Sequence, residues 1–128
     1  MPTHVFHRGV RILRVDYSEC RTAEAKIDLM EIAMRLIAME APLSILMLTR
    51  WRPPMCREIH EPLTRYVRHN APYVKASAVV GLNEFQRTVL WPMVADRSDR
   101  VAAFEHEISA LNWLASHGEA ADPGKSRR

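Results

Sequence analysis

The chain has 128 residues, of which 48% are hydrophobic and 26% charged, with 4 glycines and 8 prolines. That is the make-up of one ordinary globular domain, which excludes a disordered tail protein, a collagen-like fibre and a disulfide-framed miniature. Eighteen Lys and Arg stand against 15 Asp and Glu, a net charge of +3, too sparse for the dense basic stripe of a nucleic-acid footprint, so nucleic acid is not a favoured partner.

Near the start, residues 3–6 and 10–15 are two short β-like runs linked through His7, Arg8 and Gly9, which predicts a β-hairpin. Thr22 offers an N-cap with Glu24 in the following turn, the signature of a helix start. Ile27, Met30, Met34 and Ile37 then recur every three or four residues, with Leu29, Ala33 and Leu36 widening the stripe, so this helix buries one face. Pro42 is expected to end it.

Residues 43–48 (LSILML) form a nearly continuous apolar run between breakers, and residues 76–80 (ASAVV), closed by Gly81, read the same way. Such runs mark strands covered on both faces. Between them lie a loop over 49–56 and a helix to His69 that buries Ile59, Leu63 and Val67. Pro62 is at home only in a first turn, so that helix is expected to begin near Glu61 rather than Arg57.

Leu82, Phe85, Val89 and Leu90 predict a further amphipathic helix ended at Pro92, followed by a charged turn over 96–100. Residues 101–104 read as a short strand, and 105–117 as a last helix burying Ile108, Leu111, Trp113 and Leu114. Residues 118–128 carry Gly, Pro and charges without a large apolar side chain, and are expected to be a disordered tail after a single domain over 1–117. The order β-β-α-β-α-β-α-β-α predicts an α/β fold, a mostly parallel sheet covered by helices, with the hairpin adding an antiparallel strand.

At this point the chain resembles a known family. The segment NAPYVKASAVVGL at 70–82 and the close FEHEISALNWL at 104–114 are similar to the corresponding segments of the bacterial SpoIIAA-like proteins. Val15, Asp16 and Tyr17 fit that family's first βαβ unit, and the likeness spans roughly residues 5–115 in order and spacing. These domains share the fold of the anti-sigma-factor antagonist (STAS) domains and are also grouped with a lipid-binding fold. The resemblance implies a small non-catalytic regulatory or ligand-binding domain. One departure matters. Where STAS antagonists carry an Asp-Ser-Ser/Thr-Gly-like phosphoacceptor motif, this chain reads LTRWRPPMC at 48–56, with Thr49 as its lone hydroxyl, so a phosphorylation switch of that kind is not expected.

In open parallel sheets ligands gather outside the carboxyl ends of the strands. Those ends are predicted to present Asp16 and Tyr17, then Thr49, Arg50, Trp51 and Arg52, then Gly81 and Asn83. Trp51 between two arginines combines contact area with donors, the residue types enriched at interface hot spots. The alternative is a tryptophan folded over the sheet edge with both arginines solvated. Gly81 and Asn83 before a helix could hold an anion, or simply cap that helix. Cys56 and His60, four residues apart, are a weak nucleophile–base or metal pair without a third group. Met30, Met34 and Met39 could line an adaptable apolar pocket, or serve as ordinary core.

The segment 16–40 holds six acids against three bases, and 50–75 six bases against two acids, which fits a self-pairing surface or two solvated faces. Two cysteines without a framework, no secretory signal pattern and no long apolar stretch lead to the expectation of a soluble, cytoplasmic protein with free thiols. The function expected is a non-enzymatic regulatory or protein-interaction domain without a cofactor, its partner being another protein or a second copy in a homodimer. The alternative is a binding module for a small apolar or anionic ligand, with a cysteine-dependent enzyme a distant third.

Overall fold

The computed structural model describes residues 1–52, 57–83, 88, 92 and 99–120. Strands β1 (Thr3–His7), β2 (Val10–Asp16), β3 (Ile45–Arg50), β4 (Val74–Val80) and β5 (Val101–Phe104) form one sheet in the order β1-β2-β3-β4-β5. β1 pairs antiparallel with β2, and every other neighbouring pair is parallel. The fold is therefore α/β, with the runs at 43–48 and 76–80 placed side by side in the same direction at the centre of the sheet.

The hairpin turns through Arg8 (φ 53°) and Gly9 (φ 76°). Two successive positive φ values match a turn whose twist follows that of the flanking strands. Helix α1 (Ala23–Ile37) starts as predicted at Thr22, whose hydroxyl accepts from the Ala25 amide at 3.0 Å. It ends at Ile37, before Pro42, because Ala38, Met39 and Glu40 turn their amides back onto Met34, Leu36 and Ile37.

β3 lies two residues further along than the apolar run predicts. Leu43 takes a positive φ of 52° and is half-exposed, whereas Thr49 and Arg50 continue the ladder against Val79 and Val80. Helix α2 (Arg57–Asn70) also departs from expectation, since Pro62 sits inside it. A proline there forfeits a single backbone bond, and Ile59, Leu63 and Tyr66 hold the helix through their burial. The helix α3 (Glu107–Ala120) runs past His117, with Gly118 tucked against Val10 and Leu46. Ile108 is exposed rather than buried, on the outward face of α3. The helix and turn predicted over 82–100, Cys56 and residues 121–128 lie wholly or largely outside the described residues.

Strand alternation divides the core in two. Leu13, Val15, Ile45, Met47 and Trp51 point to one face and pack against α1 and α2. Ile12, Leu46, Leu48, Ala76, Ala78 and Val80 point to the other, where Ala110 and Leu114 of α3 cover them. Each fully buried Leu, Ile, Val or Met side chain among them contributes about 1.5–3 kcal/mol against remaining in water. Among the described residues no helix is long and apolar enough to cross a membrane.

Candidate functional site

The register of the parallel strands builds a floor on the α1/α2 face. Met47, Ser77 and Val101 stand in one row across β3, β4 and β5, and Thr49 lies beside Val79 in the next. Above this floor runs α2, which presents Leu63, Tyr66, Val67 and Asn70 at intervals of three and four residues. Floor and roof leave a cavity of about 90 Å³, bounded at the carboxyl ends of β2 and β3 by Tyr17 and Trp51, and at the start of β4 by Val74. Its wall is almost wholly apolar, and none of its described lining residues carries a charge.

Three aromatic side chains meet at one end of this cavity. The Tyr17 ring lies 5.1 Å from the Trp51 ring at a tilt of 49°, and 6.3 Å from the Tyr66 ring nearly edge-on. Both spacings are favourable for aromatic contact. The Lys26 ammonium stands 4.9 Å from the centre of the Trp51 ring, itself buried under α1, an attraction between a cation and the face of the ring. Trp51 is fixed from behind, because its amide donates to the Val80 carbonyl at 2.8 Å. Gly81 follows with φ 99°, and a Cβ there would stand 2.1 Å from the Trp51 carbonyl oxygen. Only glycine allows the two backbones to approach so closely.

The polar atoms of these three rings are exceptional. Tyr17 Oη, Trp51 Nε1 and Tyr66 Oη are sealed from solvent, and among the described residues none of them makes a hydrogen bond of full geometry, although buried polar groups are paired almost everywhere in folded proteins. Burial drives the Tyr17 hydroxyl well above the usual tyrosine range, and the neighbouring Tyr66 adds to that rise. Burial likewise pushes Tyr66 up, opposed in part by Tyr17 and Asn70. The Tyr17 and Tyr66 hydroxyls interact with each other, and Tyr66 with Asn70, in side-chain contacts that shift both ionisations. The side-chain amide oxygen of Asn70 lies 3.0 Å from His69 Nδ1.

The expected site residues thus divide between two faces. Tyr17, Thr49 and Trp51 line the cavity. Asp16 and Arg50 point the opposite way, toward α3, where they join Arg14 and Glu107 in a ring of alternating charge. Arg14 holds Glu107 through two bonds of 3.1 Å, while Arg50 reaches Asp16 and Glu107 at 3.5 Å. Partial burial pushes the Asp16 carboxyl up, but bonds from Ser18 and the charges of Arg50 and Arg14 outweigh it and hold Asp16 below its usual range. Arg52 is exposed, its guanidinium 3.4 Å from the Ser18 carbonyl. Gly81 acts on the site through the backbone of Trp51, and Asn83 is exposed beyond it.

Trp51 is accordingly not a projecting contact residue flanked by its arginines. It continues the alternation of Met47 and Thr49, which turns its ring inward. Met30 is core, Met34 is partly packed and Met39 is exposed, and none of the three lines this cavity. Tyr66 and Asn70 were not among the expected site residues. Their signal was the stripe at 63, 66, 67 and 70, which puts both on the sheet-facing side of α2. His60 is exposed, and its proposed partner Cys56 lies outside the described residues.

Comparison of the chain with models of known families, with curated proteins and with solved structures finds no match in any of the three.

Proposed function

We propose that this domain is a binding module for a small apolar ligand, taken up between α2 and the sheet. The observation that carries this reading is the apolar cavity between α2 and the sheet, closed at one end by the rings of Tyr17, Trp51 and Tyr66. Apolar walls with a few converging polar groups are the usual make-up of a small-molecule site. A non-catalytic binding role is also what the likeness to SpoIIAA-like domains implies.

The test is a thermal-shift and NMR titration of the full chain against a panel of small neutral organic molecules at millimolar concentration. The amide signals of Thr49, Trp51, Tyr66 and Ser77 are expected to move together and saturate. Val67→Phe, which fills the cavity with a ring, is expected to remove the response. A panel that leaves these signals in place overturns the reading.

A further inference from the structure

We infer that the open edge of β1 is a self-association surface, on which a second copy of this chain pairs its own β1 antiparallel about a two-fold axis through Val5.

The edge is unguarded. β1 lies at one margin of the sheet, with β2 as its sole strand neighbour among the described residues. Such a margin offers a row of backbone donors and acceptors, which folded proteins ordinarily protect with lysine, proline, other charges or a bulge. β1 reads THVFH, without Lys, Arg, Asp, Glu or Pro, and its register against β2 runs unbroken. Phe6 stands opposite Arg11, hence on the α1 side of the sheet, and is 72% exposed there. Leu36 and Met39, also exposed, border the groove beside His4 on that side.

The register names the occupant. The two-residue turn at Arg8 and Gly9 is flanked by His7 and Val10, a pair that in such a hairpin exchanges both backbone bonds. Alternation along the ladder then turns the backbone groups of Thr3, Val5 and His7 toward β2, and those of His4 and Phe6 toward the open edge. A two-fold axis through Val5 sets His4 against the partner's Phe6, and Phe6 against the partner's His4. Every outward N–H and carbonyl of both residues thereby finds its complement in the other copy. Charge agrees. Like charges directly opposite each other destabilise a strand pair, and here His4 faces Phe6 while His7 faces Thr3, so even protonated histidines do not meet. The product is a closed two-fold dimer with one continuous sheet, five strands from each copy.

Sedimentation equilibrium of the full chain, up to millimolar concentration, is expected to show a monomer–dimer equilibrium. Phe6→Lys at its exposed position, and His4→Pro, which deletes only an outward N–H, should each weaken the dimer about tenfold or more with circular dichroism unchanged. Register is read by oxidation in a Cys20→Ser/Cys56→Ser background. Val5→Cys should cross-link two copies, since the two positions stand directly opposite. Thr3→Cys should not, being about 14 Å from its counterpart, beyond the reach of a disulfide. A chain that stays monomeric, a dimer indifferent to both edge variants, or cross-linking through Thr3→Cys and not Val5→Cys overturns the inference. So does a monomer whose His4 and Phe6 amides resist hydrogen exchange, because another segment then holds the edge.

Discussion

Replacing Tyr17 by Phe is expected to make the protein more stable, an outcome opposite to that of most core substitutions. Tyr17 is fully buried, and among the described residues its hydroxyl makes no hydrogen bond of full geometry, only a weak contact with Tyr66. Phenylalanine keeps the ring and its contacts with Trp51 and Tyr66, and discards a group whose desolvation costs about 1–3 kcal/mol. Against this stands the loss of the weak attraction between the hydroxyl and its Tyr66 neighbour. The net gain is about 1 kcal/mol, which for a domain of this size raises Tm by about 4 °C. Urea unfolding followed by circular dichroism measures it, with an unchanged m-value showing that the denatured state is the same. Tyr17→Ala serves as the contrast, since removing the ring is expected to cost about 3–5 kcal/mol. If Tyr17→Phe instead destabilises by more than about 0.5 kcal/mol, the hydroxyl is bonded in solution. The reading of a poorly satisfied hydroxyl in this part of the core then fails.

Gly81→Ala drives a Cβ into the Trp51 carbonyl at positive φ and should cost about 2–4 kcal/mol; Gly9→Ala, with open space around it, should cost about 1 kcal/mol, and calorimetry on both variants checks the difference. Tyr17 and Tyr66 ionise at higher pH in the fold than in the unfolded chain, where they titrate near pH 10. The stability they contribute is thus complete below pH 10 and declines as pH rises beyond it, by up to about 1.4 kcal/mol per pH unit for each; tyrosinate absorbance that appears without loss of the fold would contradict this. Asp16 behaves in the reverse sense, because its carboxyl is held low in the fold. Its stabilisation is present above the ordinary carboxylate pKa and lost as pH falls through the folded value, so Asp16→Asn should flatten the acid limb of the stability profile. A double-mutant cycle on Arg14 and Glu107, which are only partly buried, should return a coupling of about 0.5–1 kcal/mol.

The sheet was readable in the sequence because its central strands are local signals. The apolar run that becomes β3 and the β-branched close of β4 announce themselves within a few residues. What misled the placement of β3 was not local. Leu43 is apolar yet turns at positive φ where its amide meets the Pro72 carbonyl, while Arg50 is charged yet stays in the ladder because Asp16 and Glu107 compensate it. The same slip concealed the site. A strand extended to Arg50 assigns Trp51 by parity to the inward face with Met47 and Thr49, whereas a loop beginning at Thr49 leaves it free to point outward. The start of α2 was misjudged because proline's preference for a first turn is weaker than the burial of Ile59 and Leu63 on the same helix. The orphaned state of three polar atoms has no sequence signature at all, since it depends on which groups tertiary packing leaves out of reach.

The strands lie across the sheet in the order in which they occur along the chain. During synthesis each new parallel strand can therefore be added beside the one just made, without threading between finished partners. Yet Ile12, Leu48 and Ala78 meet their cover only when α3 arrives. Without that helix these apolar side chains of the sheet would be open to water. The Arg14–Glu107 clasp ties the first turn of α3 to β2, and so holds that cover in place.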